Sequence, residues 1–142
     1  MDESLKLENQ LCFPLYACSK EVIKKYKPLL DELDLTYTQY IAMLVLWEYE
    51  SINVKNLGDM LFLDSGTLTP LLKKLEAKGY ISRNRDTFDE RNLIISITEN
   101  GKNLKDKAKN IPTEIGKCMK LTPDESIELY RLLYKVLGKI GE

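Results

Sequence analysis

Between Leu5 and Tyr26 the apolar positions Leu11, Cys12, Leu15, Tyr16, Val22, Ile23 and Tyr26 recur at three- and four-residue spacing, the period of a helix with one buried face. Pro14 either opens the regular part of this helix or bends it, because inside a helix its ring removes the hydrogen bond to the carbonyl of Gln10. Pro28 is expected to end the helix at Tyr26 or Lys27, and a short helix from Pro28 to Leu33 follows. Thr36-Tyr37-Thr38-Gln39 has the form of a capping box. It predicts a strongly apolar helix from Tyr37 to about Tyr49 that carries the only tryptophan, Trp47.

Ser51 to Val54 reads as a short extended link, and Lys55 to Phe62 as a small helix burying Leu57, Met60 and Leu61. LDSGTLTPLLKKLEAKG predicts a second helix, capped near Asp64 or Ser65 and stopped at Gly79, with Pro70 near its first turn. Tyr80 to Arg85 and Asn92 to Ile97 have the alternation and β-branched content of strands, and DTFDER between them makes a long polar hairpin tip. Thr98 caps a charged helix that is interrupted or ended at Pro112. Thr122-Pro123-Asp124-Glu125 is a second capping box, with proline in the first helical position. It opens a last helix whose stripe includes Ile127, Tyr130, Leu133, Tyr134, Leu137 and Ile140. The fold class is therefore mainly α with a small β-hairpin wing. Helix, turn, helix and charged hairpin, in that order, form a winged helix-turn-helix.

Composition removes several classes of function. The chain has 142 residues, 44% hydrophobic and 30% charged, enough for one domain with a real core. The start, MDESLKLENQ, is unlike a signal peptide, and no apolar run approaches a membrane span, so a cytoplasmic protein without a membrane partner is expected. Three widely spaced cysteines do not make a disulfide framework. The chain has no histidine, which removes Ser-His-Asp and Cys-His catalysis and most zinc sites. No phosphate-cradling glycine loop occurs. Neither a metal, nor a cofactor, nor an enzymatic activity is expected.

A net charge of −1 means that nucleic-acid binding must rest on a local patch, or on a symmetric pair of patches. The winged unit offers one. Ser65, Thr67 and Thr69 are small hydrogen-bonding groups near the start of the second helix, Lys73 and Lys74 follow one to two turns on, and Arg83, Arg85 and Arg91 flank the hairpin tip. From Thr67 to Arg91 six basic side chains stand against four acidic ones, an excess a solvated surface could also carry. The order of elements together with the placement of charge favours DNA.

LDSGTLTPLLKKLEAKGYI followed by DERNLIISIT resembles the recognition helix and wing of MarR-type transcriptional regulators. LCFPLYA and LTYTQYIAMLVLWE resemble the branch that senses organic hydroperoxides, the OhrR- and SarZ-like proteins. The likeness is specific from about Leu11 to Thr98. It implies one MarR-type domain in three regions: residues 1–35 for dimerisation and sensing, 36–98 for the winged helix-turn-helix, and 99–142 for further dimerisation helices. It also implies a homodimer on double-stranded DNA with a pseudo-palindromic operator. Arg91, positioned by Asp89, would be the wing residue that probes the minor groove.

A free thiol titrates near ~8.5, and the thiolate is the species that attacks a peroxide. Activating Cys12 therefore needs positive charge or hydrogen-bond donors aimed at sulfur. The resemblance implies tyrosines as donors, with Tyr26 and Tyr37 at the matching positions and Tyr16 as a further lining residue. Cys12 and Tyr26 are separated by about 320° of helical rotation and roughly 21 Å of rise, so they cannot touch within one straight helix. If Tyr26 binds Cys12, it comes from an antiparallel partner chain. Cys118, between Lys117 and Lys120, is either an incidental surface thiol or, as AbfR-like relatives imply, a resolving cysteine that closes an intersubunit disulfide. Cys18 receives no role.

The expected protein is an oxidation-responsive regulator, a repressor that loses DNA affinity when Cys12 is oxidised by an organic hydroperoxide or related oxidant. Three alternatives stand beside it: a MarR-type regulator controlled by a small lipophilic ligand, with structural cysteines; a thiol peroxidase; and a winged-helix interaction module that does not bind DNA.

Overall fold

The computed structural model describes residues 2–138. Ile140, expected on the last helical stripe, lies outside them. The described residues form two compact units, divided between Ile111 and Pro112.

In the first unit, two single 3-10 turns, Glu3–Leu5 and Leu7–Asn9, precede helix α1, Cys12–Asp31. The helix starts at Cys12, later than the apolar spacing suggested, and Pro14 falls in its first turn, where its missing N–H has no intrahelical acceptor to lose. The expected break at Pro28 does not occur. α1 runs through it as one helix. Pro28 and Lys24, whose carbonyl loses a donor, are both exposed, so water can replace the bond. Beyond Pro28, Leu30, Leu33 and Leu35 are almost wholly buried and anchor the continuation. The helix closes with Asp34 in the left-handed region (φ 54°) and the Leu35 N–H donating to the Leu30 carbonyl at 3.1 Å.

Helix α2, Tyr37–Tyr49, opens with both halves of its capping box. The Gln39 N–H donates to Thr36 Oγ1 at 3.3 Å, and the Thr36 N–H donates to Gln39 Oε1 at 3.0 Å. Ala42, Met43 and Leu46 make α2 the centre of the core. Strand β1, Ser51–Asn53, follows, where a link was expected. It pairs antiparallel with β3, Leu93–Ile97, whose other edge pairs with β2, Ile81–Arg85, so the hairpin is part of a three-stranded sheet ordered β1-β3-β2. Three residues are too short to display an alternation; β1 is a strand because β3 supplies its ladder.

Helix α3, Val54–Leu61, and helix α4, Ser65–Ala77, form the helix-turn-helix. Asp64 caps α4 by accepting the Thr67 N–H at 2.8 Å. Pro70 lies in the second turn of α4, farther in than expected; it and Gly66, whose carbonyl it leaves without a donor, are exposed. Gly79 ends the segment with φ +83°. Leu57, Leu68, Leu72, Leu75, Ile81 and Ile95 join these helices and the sheet into one core.

Helix α5, Glu99–Ala108, is capped by Thr98, whose hydroxyl accepts the Gly101 N–H at 3.1 Å and donates to the Gly79 carbonyl at 2.6 Å. A methyl group on Gly101 would overlap the Tyr80 carbonyl and the Ile97 side chain. The Gly101 carbonyl accepts the indole N–H of Trp47 at 2.8 Å, tying α5 to α2.

Helix α6, Ile111–Met119, has Pro112 in its first turn, so this proline opens a helix, while α5 has already ended at Ala108. In the second unit, α7, Pro123–Leu137, starts at a complete Thr122–Glu125 capping box and stops at Gly138 (φ 76°). Its apolar residues Ile127, Leu129, Tyr130, Leu132, Val136 and Leu137 are exposed in the single chain. No described helix is long and apolar enough to cross a membrane.

Candidate functional site

Cys12 is the first residue of α1 and is exposed. No side chain caps the start of this helix, so the first-turn N–H groups, which lack intrahelical acceptors, have no side-chain acceptor from the N-cap. Tyr16 stands one turn along, exposed, with the Lys20 ammonium 5.3 Å from its ring centre and the Phe13 ring 6.4 Å away. Around them Leu11, Leu15 and Ile23 are also exposed. Cys12 is thus not core filler within the chain.

Tyr26 and Tyr37 meet at the junction of α1 and α2, their rings edge-on with centres 4.9 Å apart. Tyr40 joins them, 5.7 Å from Tyr26, and continues to Trp47 at 6.3 Å. Burial pushes the Tyr26 hydroxyl up to about 12, with Tyr37 and Tyr40 adding to the effect. Burial also raises Tyr37 and Tyr40. All three therefore remain protonated donors at neutral pH. The tyrosine pair lies roughly 21 Å along α1 from Cys12, so the chain brings Tyr26 and Tyr37 together without bringing either to its own thiol.

Cys118 lies near the end of α6 and is exposed, with neighbouring Lys117 paired to Glu114 at 3.1 Å. Cys18 is exposed on α1.

On α4, whose Leu68, Leu71, Leu72 and Leu75 are buried, Ser65, Thr67, Thr69, Lys73 and Lys74 are all exposed. Arg85, at the end of β2, and Arg91, in the tip, are exposed. The Arg91 guanidinium donates to both carboxylate oxygens of Asp89, at 3.0 and 3.2 Å, and its backbone N–H donates there too at 3.1 Å. These bonds hold the Asp89 carboxyl below the usual range. Arg83 is placed differently: its guanidinium donates to Glu76 Oε1 at 3.1 and 3.0 Å and is mostly buried, binding β2 to α4. Lys55, Asp64, Ser65, Arg85 and Arg91 line a cleft between the helix-turn-helix and the wing.

The family model described as transcriptional regulator SarA/Rot matches residues 24–108. The chain is 52% identical over 140 residues to the organic hydroperoxide resistance transcriptional regulator of Bacillus subtilis (strain 168), covering 99% of this chain and 95% of that one. It is 50% identical over 133 residues to the HTH-type transcriptional regulator SarZ of Staphylococcus saprophyticus, covering 94% and 91%. Among solved structures, reduced AbfR bound to DNA superposes with a TM-score of 0.77 at 36% identity, covering 99% and 98%. The chain belongs to the MarR family, in its OhrR- and SarZ-like branch.

Within this MarR-type regulator, three residues of the site region escaped the sequence reading of function. Tyr40 completes the aromatic cluster, and its three-residue spacing from Tyr37 was the available signal. Gln39 was legible as a capping residue, but not as a buried polar side chain at 3% exposure. Lys78 looked like one more charge at a helix end, yet its ammonium reaches Gln39 Oε1 at 3.4 Å and both the carbonyl and the carboxylate of Asp34. Sequence separations of 39 and 44 residues left no local signal for these bonds.

Proposed function

We propose that this regulator is a homodimeric, DNA-binding repressor that senses organic hydroperoxides through Cys12. The observation that carries the reading is the pairing of an exposed, uncapped-helix thiol with a protonated tyrosine pair roughly 21 Å farther along α1. Two antiparallel copies of α1 would bring Tyr26 and Tyr37 of one chain to Cys12 of the other. The exposed apolar residues of α1 and α7 supply surface for such an interface, with residues 1–35 and 99–142 serving dimerisation and residues 36–98 reading DNA. The DNA-bound structure of AbfR and the naming of the Bacillus relative for organic hydroperoxide resistance support the same reading.

In the reduced dimer each α4 enters a major groove of a pseudo-palindromic operator and offers Ser65, Thr67, Thr69, Lys73 and Lys74. Arg91, held by Asp89, reaches the minor groove with Arg85 beside it, and Arg83 fixes the wing to α4. The Cys12 thiolate, accepting tyrosine hydroxyls and bordered by Tyr16, attacks a peroxide oxygen. The O–O bond breaks, the alkoxide leaves and takes a proton to become an alcohol, and the sulfur becomes a sulfenic acid. The partner's Cys118 thiolate can then displace hydroxide from that sulfur, which leaves as water, and form an intersubunit disulfide. Loss of the tyrosine–thiolate bonds changes the spacing of the two α4 helices, and DNA affinity falls. Such chemistry in a DNA-binding protein belongs in the cytoplasm and consumes one peroxide per signal without turnover.

The experiment compares wild type with Cys12→Ser on the DNA upstream of the protein's own gene. The variant is expected to bind and to ignore an organic hydroperoxide that releases the wild type. Release of both proteins alike would remove Cys12 as the sensor.

A further inference from the structure

We propose that Lys78 is a positioning residue that holds the end of the recognition helix to the tyrosine-bearing turn of α2, so that displacement of this turn on oxidation is passed to α4. The inference rests on the sensing role of Cys12 and Tyr37 given above. It adds the physical link between that sensor and the DNA-reading element within one chain.

Lys78 is the C-cap residue of α4. Its side chain is only 27% exposed, unlike the lysines Lys73 and Lys74 on the same helix. The ammonium donates to the main-chain carbonyl of Asp34 and to Gln39 Oε1 at 3.4 Å, and lies 3.5 Å from Asp34 Oδ2. Three donors thus face three oxygens, all from the α1–α2 junction. Asp34 takes a left-handed conformation that turns its carbonyl out of the end of α1, where the ammonium meets it.

Gln39 connects this cage to the sensor. It is almost fully buried, and a buried amide oxygen is tolerated when it is hydrogen-bonded. Its oxygen accepts the Thr36 N–H at 3.0 Å as well as Lys78. Tyr37 is the first helical residue of that same capping box and packs edge-on against Tyr26. A shift of Tyr37 therefore moves the turn that carries the Gln39 oxygen. The first turn of α2 and the last turn of α4 then behave as one mechanical unit in the reduced state and separate in the oxidised one.

The test measures DNA affinity, reduced and after one equivalent of cumene hydroperoxide, for wild type, Lys78→Met, Gln39→Met and the double variant. Methionine keeps an apolar stem and removes the donor or acceptor. Each single variant is expected to bind reduced DNA more weakly while the oxidised affinity stays as it is. The oxidised-to-reduced ratio of Kd should then shrink at least about fivefold, the low end of typical allosteric coupling. The double variant is expected to be no worse than the weaker single one, as for two ends of one link. Gln39 is buried and cannot act as a phosphate contact, so its agreement with Lys78 separates coupling from charge. Equal weakening in both redox states, with the ratio unchanged, would make Lys78 a mere DNA contact and overturn the proposal. A wild type that ignores the peroxide would instead fail the sensor reading, and this link with it. If the variants do not fold, amide hydrogen exchange on wild type decides: oxidation should speed exchange at Thr36 and at Lys78 together, and unchanged protection at Lys78 overturns the link.

Discussion

Tyr26 and Tyr37 lie edge to edge, 4.9 Å between ring centres, where α1 turns into α2. The contact joins the helix that begins with Cys12 to the helix that forms the centre of the core. Its hydroxyls face a half-buried environment, and that environment makes a pH prediction.

The Tyr26 hydroxyl is pushed from 10.0 up to about 12, chiefly by burial. An acid whose folded pKa is raised contributes stability that is complete below its unfolded pKa, near 10, and is lost as pH rises through the folded value. Wild type should therefore lose melting temperature more steeply than Tyr26→Phe between pH 10 and about 12, and the two should run parallel from pH 7 to 9. Parallel curves across the whole range would show that Tyr26 titrates normally.

Arg91→Ala tests the wing. The side chain is 90% exposed and touches only Asp89 among the contacts described, so thermal stability should not change. Affinity for operator DNA should fall about tenfold, and the salt dependence of binding should become shallower by about one unit of slope. Fluorescence polarisation across a salt series measures both quantities, and unchanged values take Arg91 out of the interface.

Much of the fold was legible because its helices carry their own punctuation. Thr36, Asp64, Thr98 and Thr122 each cap the helix predicted for them, since a cap is written in four adjacent residues. What was not legible depended on distant residues. Pro28 read as a stop, and only the burial of Leu30, Leu33 and Leu35 explains why α1 continues. β1 needed β3, some forty residues on in the chain, to become a strand. At the site, the recognition helix and wing were readable as a pattern of small polar and basic residues. The engagement of Arg83 by Glu76 was not readable, because pairing across α4 and β2 leaves no periodic trace.

Gly101→Ala tests the packing of α5. The added methyl meets the Tyr80 carbonyl, a backbone atom that cannot swing aside, and Ile97 behind it. Overpacking of this kind typically costs about 1–3 kcal/mol, and the Trp47 bond to the Gly101 carbonyl would be strained with it. Urea unfolding followed by Trp47 fluorescence reads the loss directly. A midpoint equal to wild type would mean that α5 can slide on the sheet without cost.

Cys118→Ser tests the proposed intersubunit disulfide. After a hydroperoxide pulse, wild type should run as a covalent dimer on a non-reducing gel, and Cys118→Ser as a monomer carrying a sulfenic acid on Cys12 that dimedone traps. A covalent dimer persisting in the variant would assign the bridge to Cys18 or to a Cys12 pair.

A single titration shows whether oxidation of Cys12 governs DNA binding. Purified, reduced protein is bound to the DNA upstream of its own gene at fixed salt, then treated with one equivalent of an organic hydroperoxide, and finally with dithiothreitol. The expected result of Cys12 control is tight binding, loss of affinity on oxidation, and recovery on reduction. Tight binding that is the same in all three states would contradict it, leaving a DNA reader whose thiol is not a sensor.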